Sequence, residues 1–143
     1  MTVKPKISKA GLLPYFFNKD TKQVMVCLMV PSDPNYGGSD PQIAKGGIDP
    51  GETALQAAKR EAWEELGLPG DNIKTIKEVA KTQCGKFTWF VAEVSSMNLS
   101  EPGHETGKVL WLTLSDAFKQ IREWQKPILG YLVAHLRSLN ASV

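Results

Sequence analysis

With 143 residues, 42% of them hydrophobic and 22% charged, the chain has the balance of one globular domain with a real core, which excludes a low-complexity or fibrous protein. A formal net charge of +2 is too small to indicate general nucleic-acid binding. No apolar run is long enough to span a bilayer, no signal-peptide pattern is present, and Cys27 and Cys84 lie too far apart in sequence to specify a zinc site, so a reduced, cytoplasmic setting without membrane attachment is expected.

Residues 1–9 are basic and contain Pro5, which predicts a flexible arm on a single domain covering 1–143. Ala10–Phe17 is apolar and aromatic and reads as a strand, with Pro14 asking for an edge position or a bulge. Asn18–Lys22 makes a turn, and Gln23–Val30 returns as the second strand of a hairpin. Its nearly unbroken apolar character predicts burial on both faces. The run PSDPNYGGSDP, Pro31–Pro41, is a loop longer than a hairpin turn, and it carries Tyr36.

Lys45-Gly46-Gly47-Ile48-Asp49-Pro50-Gly51-Glu52 follows, a turn-rich stretch that presents backbone more than side chains. Thr53 with Gln56 makes a capping-box pattern, and Gly67 suits a left-handed C-cap, so a helix is predicted from Thr53 to Leu66. Ala54, Leu55, Ala58, Ala62 and Leu66 recur at helical spacing as its apolar stripe, leaving Arg60, Glu61, Glu64 and Glu65 on the remaining surface. Three carboxylates crowd the C-terminal half of this helix. They repel one another and the carbonyl end of the helix dipole, by some tenths of a kcal/mol per effect. Bound divalent cations reverse both signs, because hard ions such as Mg²⁺ or Mn²⁺ take carboxylate oxygens while also holding phosphates. Arg60, four residues before Glu64, is placed to pair with it and orient it.

Gly46, five residues, Glu52, seven residues, then Arg60-Glu61-Ala62-Trp63-Glu64-Glu65-Leu66-Gly67-Leu68 resembles the signature box of the Nudix hydrolases with no departure at a defined position. The resemblance implies an α/β/α sandwich around a mixed β-sheet, with the box as a loop-helix-loop, and hydrolysis of a nucleoside diphosphate linked to another moiety. It implies Glu61, Glu64 and Glu65 as metal ligands, joined by the backbone carbonyl of Lys45, with Arg60 steadying them and Glu52 supporting the site.

After the box, Ile73–Thr82 and Lys86–Val94 read as strands joined near Gln83-Cys84-Gly85, with Phe87, Trp89, Val91 and Ala92 expected in the core. Ser95–Gly107 is a polar loop before the short strand Val109–Leu112. Many family members carry on this loop, a few residues before a tryptophan, an acid that serves as metal ligand or general base. Glu105, six residues before Trp111, matches that placement, and Glu101 is the runner-up; His104 beside it reads as incidental. Ser115–Glu123, capped by Ser115, and Ile128–Leu139, opened by Pro127, close the chain as helices. The stripe Ile128, Leu129, Leu132, Val133, Leu136 and Leu139 suits covering a sheet, and a second subunit is the other use for it, so a monomer and a homodimer are both expected.

The reaction these residues suggest is metal-assisted attack of water on a P–O–P bridge, with Glu64 or Glu105 taking the proton. The opening Lys45-Gly46, then Pro50-Gly51-Glu52, resembles members acting on dinucleoside polyphosphates, on inositol pyrophosphates and on RNA 5′ ends, and it is compatible with ADP-ribose or another nucleotide sugar. A dinucleoside polyphosphate is the first reading. Lys45 and Gly46 are then candidates for phosphate contact and Tyr36 for base stacking. The alternative outside catalysis is an inactive Nudix-fold nucleotide-binding module, and the intact Glu61, Glu64 and Glu65 argue against it.

Overall fold

The structure, a computed structural model, describes residues 8–36, 38–79 and 86–139, the side chain of Tyr36 excepted. The first seven residues of the expected arm, the turn near Gln83-Gly85 and Cys84 lie outside the described residues. Six strands form one mixed sheet: β1 (Lys9–Asn18), β2 (Gln23–Pro31), β3 (Ala44–Gly47), β4 (Ile73–Glu78), β5 (Phe87–Val94) and β6 (Thr106–Thr113). The helices are α1 (Ala54–Leu66), α2 (Leu114–Gln120) and α3 (Lys126–Ser138).

The strand order is β4-β5-β1-β2-β6, with β3 paired to β1; β1 and β5 are parallel and every other pair is antiparallel. Each face is buried under helices. On one, Ala57, Ala58, Ala62 and Leu66 of α1 pack on Leu12, Cys27, Met29 and Phe90. On the other, Ala117 of α2 and Ile128, Leu129, Leu132 and Leu136 of α3 pack on Leu13, Val26, Leu28 and Val91. This is the expected α/β/α sandwich. Burial of β2 on both faces follows its composition: Val24, Val26 and Leu28 join one core while Cys27 and Met29 join the other. Ile128, Leu129, Leu132 and Leu136 of the α3 stripe are buried against the sheet, while Val133 is half-buried and Leu139 stands 60% exposed.

Several expectations change. Pro14 lies in a central strand rather than at an edge, since β1 has β5 along one side. On the other side β3 pairs Lys9–Leu12 and β2 pairs Tyr15–Asn18, so Leu13 and Pro14 fall at the fork between two partners, where a missing N–H is tolerated. Lys9, assigned to the arm, already belongs to β1. In α1, Leu55 is exposed and Ala57 is buried in its place, because the face that meets the sheet is rotated toward Ala57 from the one the periodicity suggested. Thr113, not Ser115, caps α2, its hydroxyl accepting from the Asp116 N–H at 3.2 Å, and the helix stops at Gln120. β6 begins at Thr106, earlier than expected, because polar residues there face open surface while their backbone pairs with β2. The loop after β2 contains one 3₁₀ turn at Pro34–Tyr36.

The box helix has the caps its sequence announced. Thr53 and Gln56 exchange both capping-box bonds, and Gly67 ends the helix at φ 71°. A Cβ at Gly67 would run into the backbone of Ser100 as well as straining the left-handed conformation. Gly67→Ala is therefore expected to lower stability in urea unfolding by at least about 1–2 kcal/mol, the ordinary left-handed penalty with the steric term added. An unchanged midpoint would show that the helix end and Ser100 separate without cost.

Candidate active site

The sheet brings five chain segments to one end. Lys9 is opposite both Gly47 of β3 and Phe87 of β5, while Pro31 at the end of β2 is opposite Thr106 at the start of β6. The box loop, Phe87, the loop after β2 and the loop before β6 thus meet around the C-terminal half of α1.

Arg60 organises the box. Its Nε and Nη2 donate to the two oxygens of Glu52 at 2.7 and 3.0 Å, Nη2 also reaches the Gly47 carbonyl at 2.9 Å, and Nη1 reaches Glu61 at 3.1 Å. Its contacts to Glu64 are longer, 3.4 Å to each oxygen, and Asp49 lies 3.5 Å from Nη2. The pairing expected with Glu64 is therefore secondary, because the guanidinium fork matches Glu52 face to face. The Arg60 hydrogen bonds hold the Glu52 carboxyl below its ordinary range, and Glu52 in turn accepts from the Asp49 N–H at 2.9 Å. Glu52 ties loop to helix.

Glu61, assigned to the open surface of the helix, is nearly buried against β3. A Cβ on Gly46 would occupy the space of its carboxylate, so the strand comes this close only because residue 46 has no side chain. Burial raises the Glu61 carboxyl, with Glu64 and Glu105 adding to the rise and Arg60 opposing it. Glu65 accepts the Lys45 N–H at 3.0 Å, yet burial, with repulsion from Glu61 and Glu105, pushes its carboxyl up to about 7. Burial lowers the Lys45 ammonium against the pull of Glu65, and Arg122 and Lys9 add repulsion.

The loop before β6 is fastened to the end of α1. Ser100 N–H donates to Gly67 O and Gly103 N–H to Glu64 O, both at 2.7 Å, and the Thr106 hydroxyl donates to Glu65 O at 2.8 Å. Orphan helix carbonyls are thereby satisfied, and the same bonds set Glu105 facing Glu61 and Glu65. Its carbonyl also accepts the Ser32 N–H at 2.9 Å. Glu101 is exposed and outside the cleft, while His104 lines it. The side chain of Tyr36 lies outside the described residues.

A cleft of about 810 Å³ runs from these acids across the sheet end. Glu65 and Glu105 line one part, Lys45, Gln42 and Arg122 another, and Phe87 and Trp124 a third. Phe87 was expected in the core; it is instead a half-buried wall, its ring 4.7 Å from Trp89 and 5.4 Å from Trp124 between centroids. Gln42, Arg122 and Trp124 carried no motif that would have singled them out. Arg122 and Glu123 read as the end of a helix in the sequence, so nothing there announced a turn into the cleft.

The NUDIX domain family model matches residues 10–132. The chain belongs to the Nudix family. A Nudix hydrolase from Arabidopsis thaliana, Nudix hydrolase 16, mitochondrial, is 29% identical over 84% of this chain and 76% of its own. An RNA pyrophosphohydrolase from Shewanella baltica is 26% identical over 65% of this chain and 67% of its own. Among solved structures, the C. elegans Ap4A hydrolase binary complex superposes with a TM-score of 0.75 at 23% identity, covering 93% of this chain and 99% of that one. The NUDIX domain of Shewanella oneidensis NrtR complexed with ADP ribose superposes with a TM-score of 0.73 at 14% identity, covering 94% and 90%. These likenesses fix the fold, and with the family match they make this protein a Nudix pyrophosphohydrolase. No helix among the described residues is long and apolar enough to cross a membrane.

Nudix hydrolases generally use divalent metal ions. Among the described residues of this Nudix chain, no three carboxylate, imidazole or thiolate groups already converge as a metal cage; Arg60 Nη1 instead bridges Glu61 and Glu64. The donor set nevertheless fits a hard dication. Burial raises the proton affinity of Glu61 and Glu65, repulsion from Glu105 adds to the rise in both, and a dication relieves that repulsion. Gly46→Ala is expected to lower hydrolysis on the order of 10²-fold by displacing the Glu61 carboxylate, with the helical circular dichroism retained; an unchanged rate in that variant would mean that Glu61 needs no such seat.

Proposed function

We propose that this Nudix enzyme hydrolyses a P–O–P bridge in a dinucleoside polyphosphate, with Mg²⁺ or Mn²⁺ held by Glu61, Glu64, Glu65 and Glu105 and by the Lys45 carbonyl. The observation that carries the reading is the single cleft in which acids, cations and aromatic rings succeed one another. Acids suit metal at the reacting phosphate, Lys45 and Arg122 suit the rest of an anionic chain, and Phe87 with Trp124 suits a stacked base. Tyr36, on the loop after β2, remains the candidate for the second base, and Gly46 leaves backbone open to phosphate.

The metal, when bound, polarises the phosphoryl oxygens and acidifies the attacking water. Glu64 is exposed and only loosely held by Arg60, so its carboxylate is free to accept the water's proton; Glu105, across the cleft, is the other base in reach of the same acids. Arg60 and Glu52 keep the box loop in register, and Glu61 and Glu65 remain fixed through the reaction. The catalytic unit is one domain spanning the chain, working in the cytoplasm as a monomer or homodimer.

An RNA 5′ end is the second reading, favoured by the same aromatic wall, which takes the first base of a 5′-terminal nucleotide equally well, and by the likeness to an RNA pyrophosphohydrolase. ADP-ribose and other nucleotide sugars use the base wall but leave the cation pair less engaged. Inositol pyrophosphates give the aromatic wall no partner.

Product analysis on a panel of dinucleoside polyphosphates, 5′-triphosphate RNA, ADP-ribose and inositol pyrophosphates decides among these. Diadenosine polyphosphates are expected to show the highest kcat/KM, and a higher value on RNA or ADP-ribose would overturn the assignment. Glu64→Gln and Glu105→Gln separate the two bases. The variant that lacks the base is expected to lose about 10²–10⁴-fold in kcat with KM nearly unchanged, whereas excess metal should recover much of the loss if the residue is only a ligand. Wild-type kinetics in both would remove the two acids from the proton transfer, and hydrolysis that persists under exhaustive chelation would remove the metal.

A further inference from the structure

Gln42 lies near the end of the long connection between β2 and β3, and only 3% of it is exposed. Its backbone is fixed by reciprocal bonds with Met29, both 2.9 Å. Its single side-chain oxygen, Oε1, accepts from Lys45 Nζ at 2.9 Å and from Arg122 Nη1 at 2.8 Å. Two cations thus share one neutral acceptor, although nothing in the sequence links residues eighty positions apart. Arg122 is held from its other end as well, its N–H donating to Pro41 O at 3.0 Å and its guanidinium lying 5.7 Å from the Trp124 ring. All four side chains line the cleft.

Like charges brought together on one acceptor repel unless an anion joins them. A carboxylate at position 42 would cancel one of the two positive charges; a carboxamide holds the geometry without adding a negative charge to the one that Glu65 already sets against Lys45. Lys45 keeps two further donors and Arg122 the rest of its fork for such an anion. We propose that Gln42 is a positioning residue that sets Lys45 and Arg122 as a paired receiver for the part of the substrate's phosphate chain that lies between the reacting phosphate and the stacked base. This deepens the reading above and rests on it only in that the cleft takes a polyphosphate.

The probe is inorganic tripolyphosphate, titrated calorimetrically into the full chain without divalent metal. Gln42→Met removes the acceptor at nearly constant volume, and Arg122→Met removes one cation from the cleft side. Each is expected to weaken tripolyphosphate binding about tenfold, the effect of losing one charge-assisted hydrogen bond. In hydrolysis of whichever substrate the panel selects, KM should rise by a similar factor while kcat stays within about twofold. Wild-type tripolyphosphate affinity in Gln42→Met beside weakened Arg122→Met would show that the cations need no positioning, and wild-type affinity in Arg122→Met would remove the receiver itself. Should Gln42→Met not fold, Gln42→Glu decides: it keeps both hydrogen bonds but cancels one of the two positive charges, so binding no weaker than wild type overturns the inference. Because tripolyphosphate carries no nucleoside, these outcomes stand apart from the substrate assignment.

Discussion

A carboxylate pressed against a strand that has no side chain is the constraint on which this site depends. Glu61 can be nearly buried only because residue 46 is glycine, and α1 can come this close to β1 and β3 only because its inner face is Ala57, Ala58 and Ala62. Small residues on the helix and none on the strand shorten the helix–sheet distance. The acids are thereby drawn out of water and toward one another, which raises the proton affinity of Glu61 and Glu65 and suits them to a multivalent cation. In an exposed helix Glu61 and Glu65 would join Glu64 as solvated surface.

Such crowding needs rigid support, and it comes from two directions. Arg60 clasps Glu52 through both of its oxygens and reaches Gly47 and Glu61 with its remaining donors, so one guanidinium joins the loop, the strand and the helix. At the other end, the loop carrying Glu105 satisfies the carbonyls that end α1. Those bonds serve the backbone and the chemistry together: the helix end loses its unpaired acceptors, and an acid remote in sequence is brought beside Glu61 and Glu65.

The remainder of the cleft depends on sheet topology. The parallel pairing of β1 with β5 places Phe87 beside Lys9, and the bridge between Met29 and Gln42 directs the chain from β2 toward the box. The turn between α2 and α3 then folds Arg122 and Trp124 over the same end. Base-sized aromatic surface and paired positive charge consequently come from segments on opposite sides of the box in sequence. The substrate contacts proposed above lie there, at a distance from the residues that define the family.

The sequence alone determined the box: its glycines, its capping pair, its left-handed stop and its acids are local, and local spacing fixes which of them share a helix face. The resemblance of that box to the Nudix signature implied the sandwich and pointed to Glu105 by its position before Trp111, while composition asked for cover on both faces of β2. Tertiary structure decided what those local rules do not reach. Pro14 sits in a central strand because two partners divide one side of β1, and periodicity says nothing of partners. Arg60 chooses Glu52 over Glu64 because the loop folds back onto the helix and offers a two-oxygen match, whereas helical spacing shows only the neighbour four residues on. Gln42, Phe87, Arg122 and Trp124 became cleft residues through pairings across the whole chain, and no spacing along it records which distant residues will face one another once the sheet has formed.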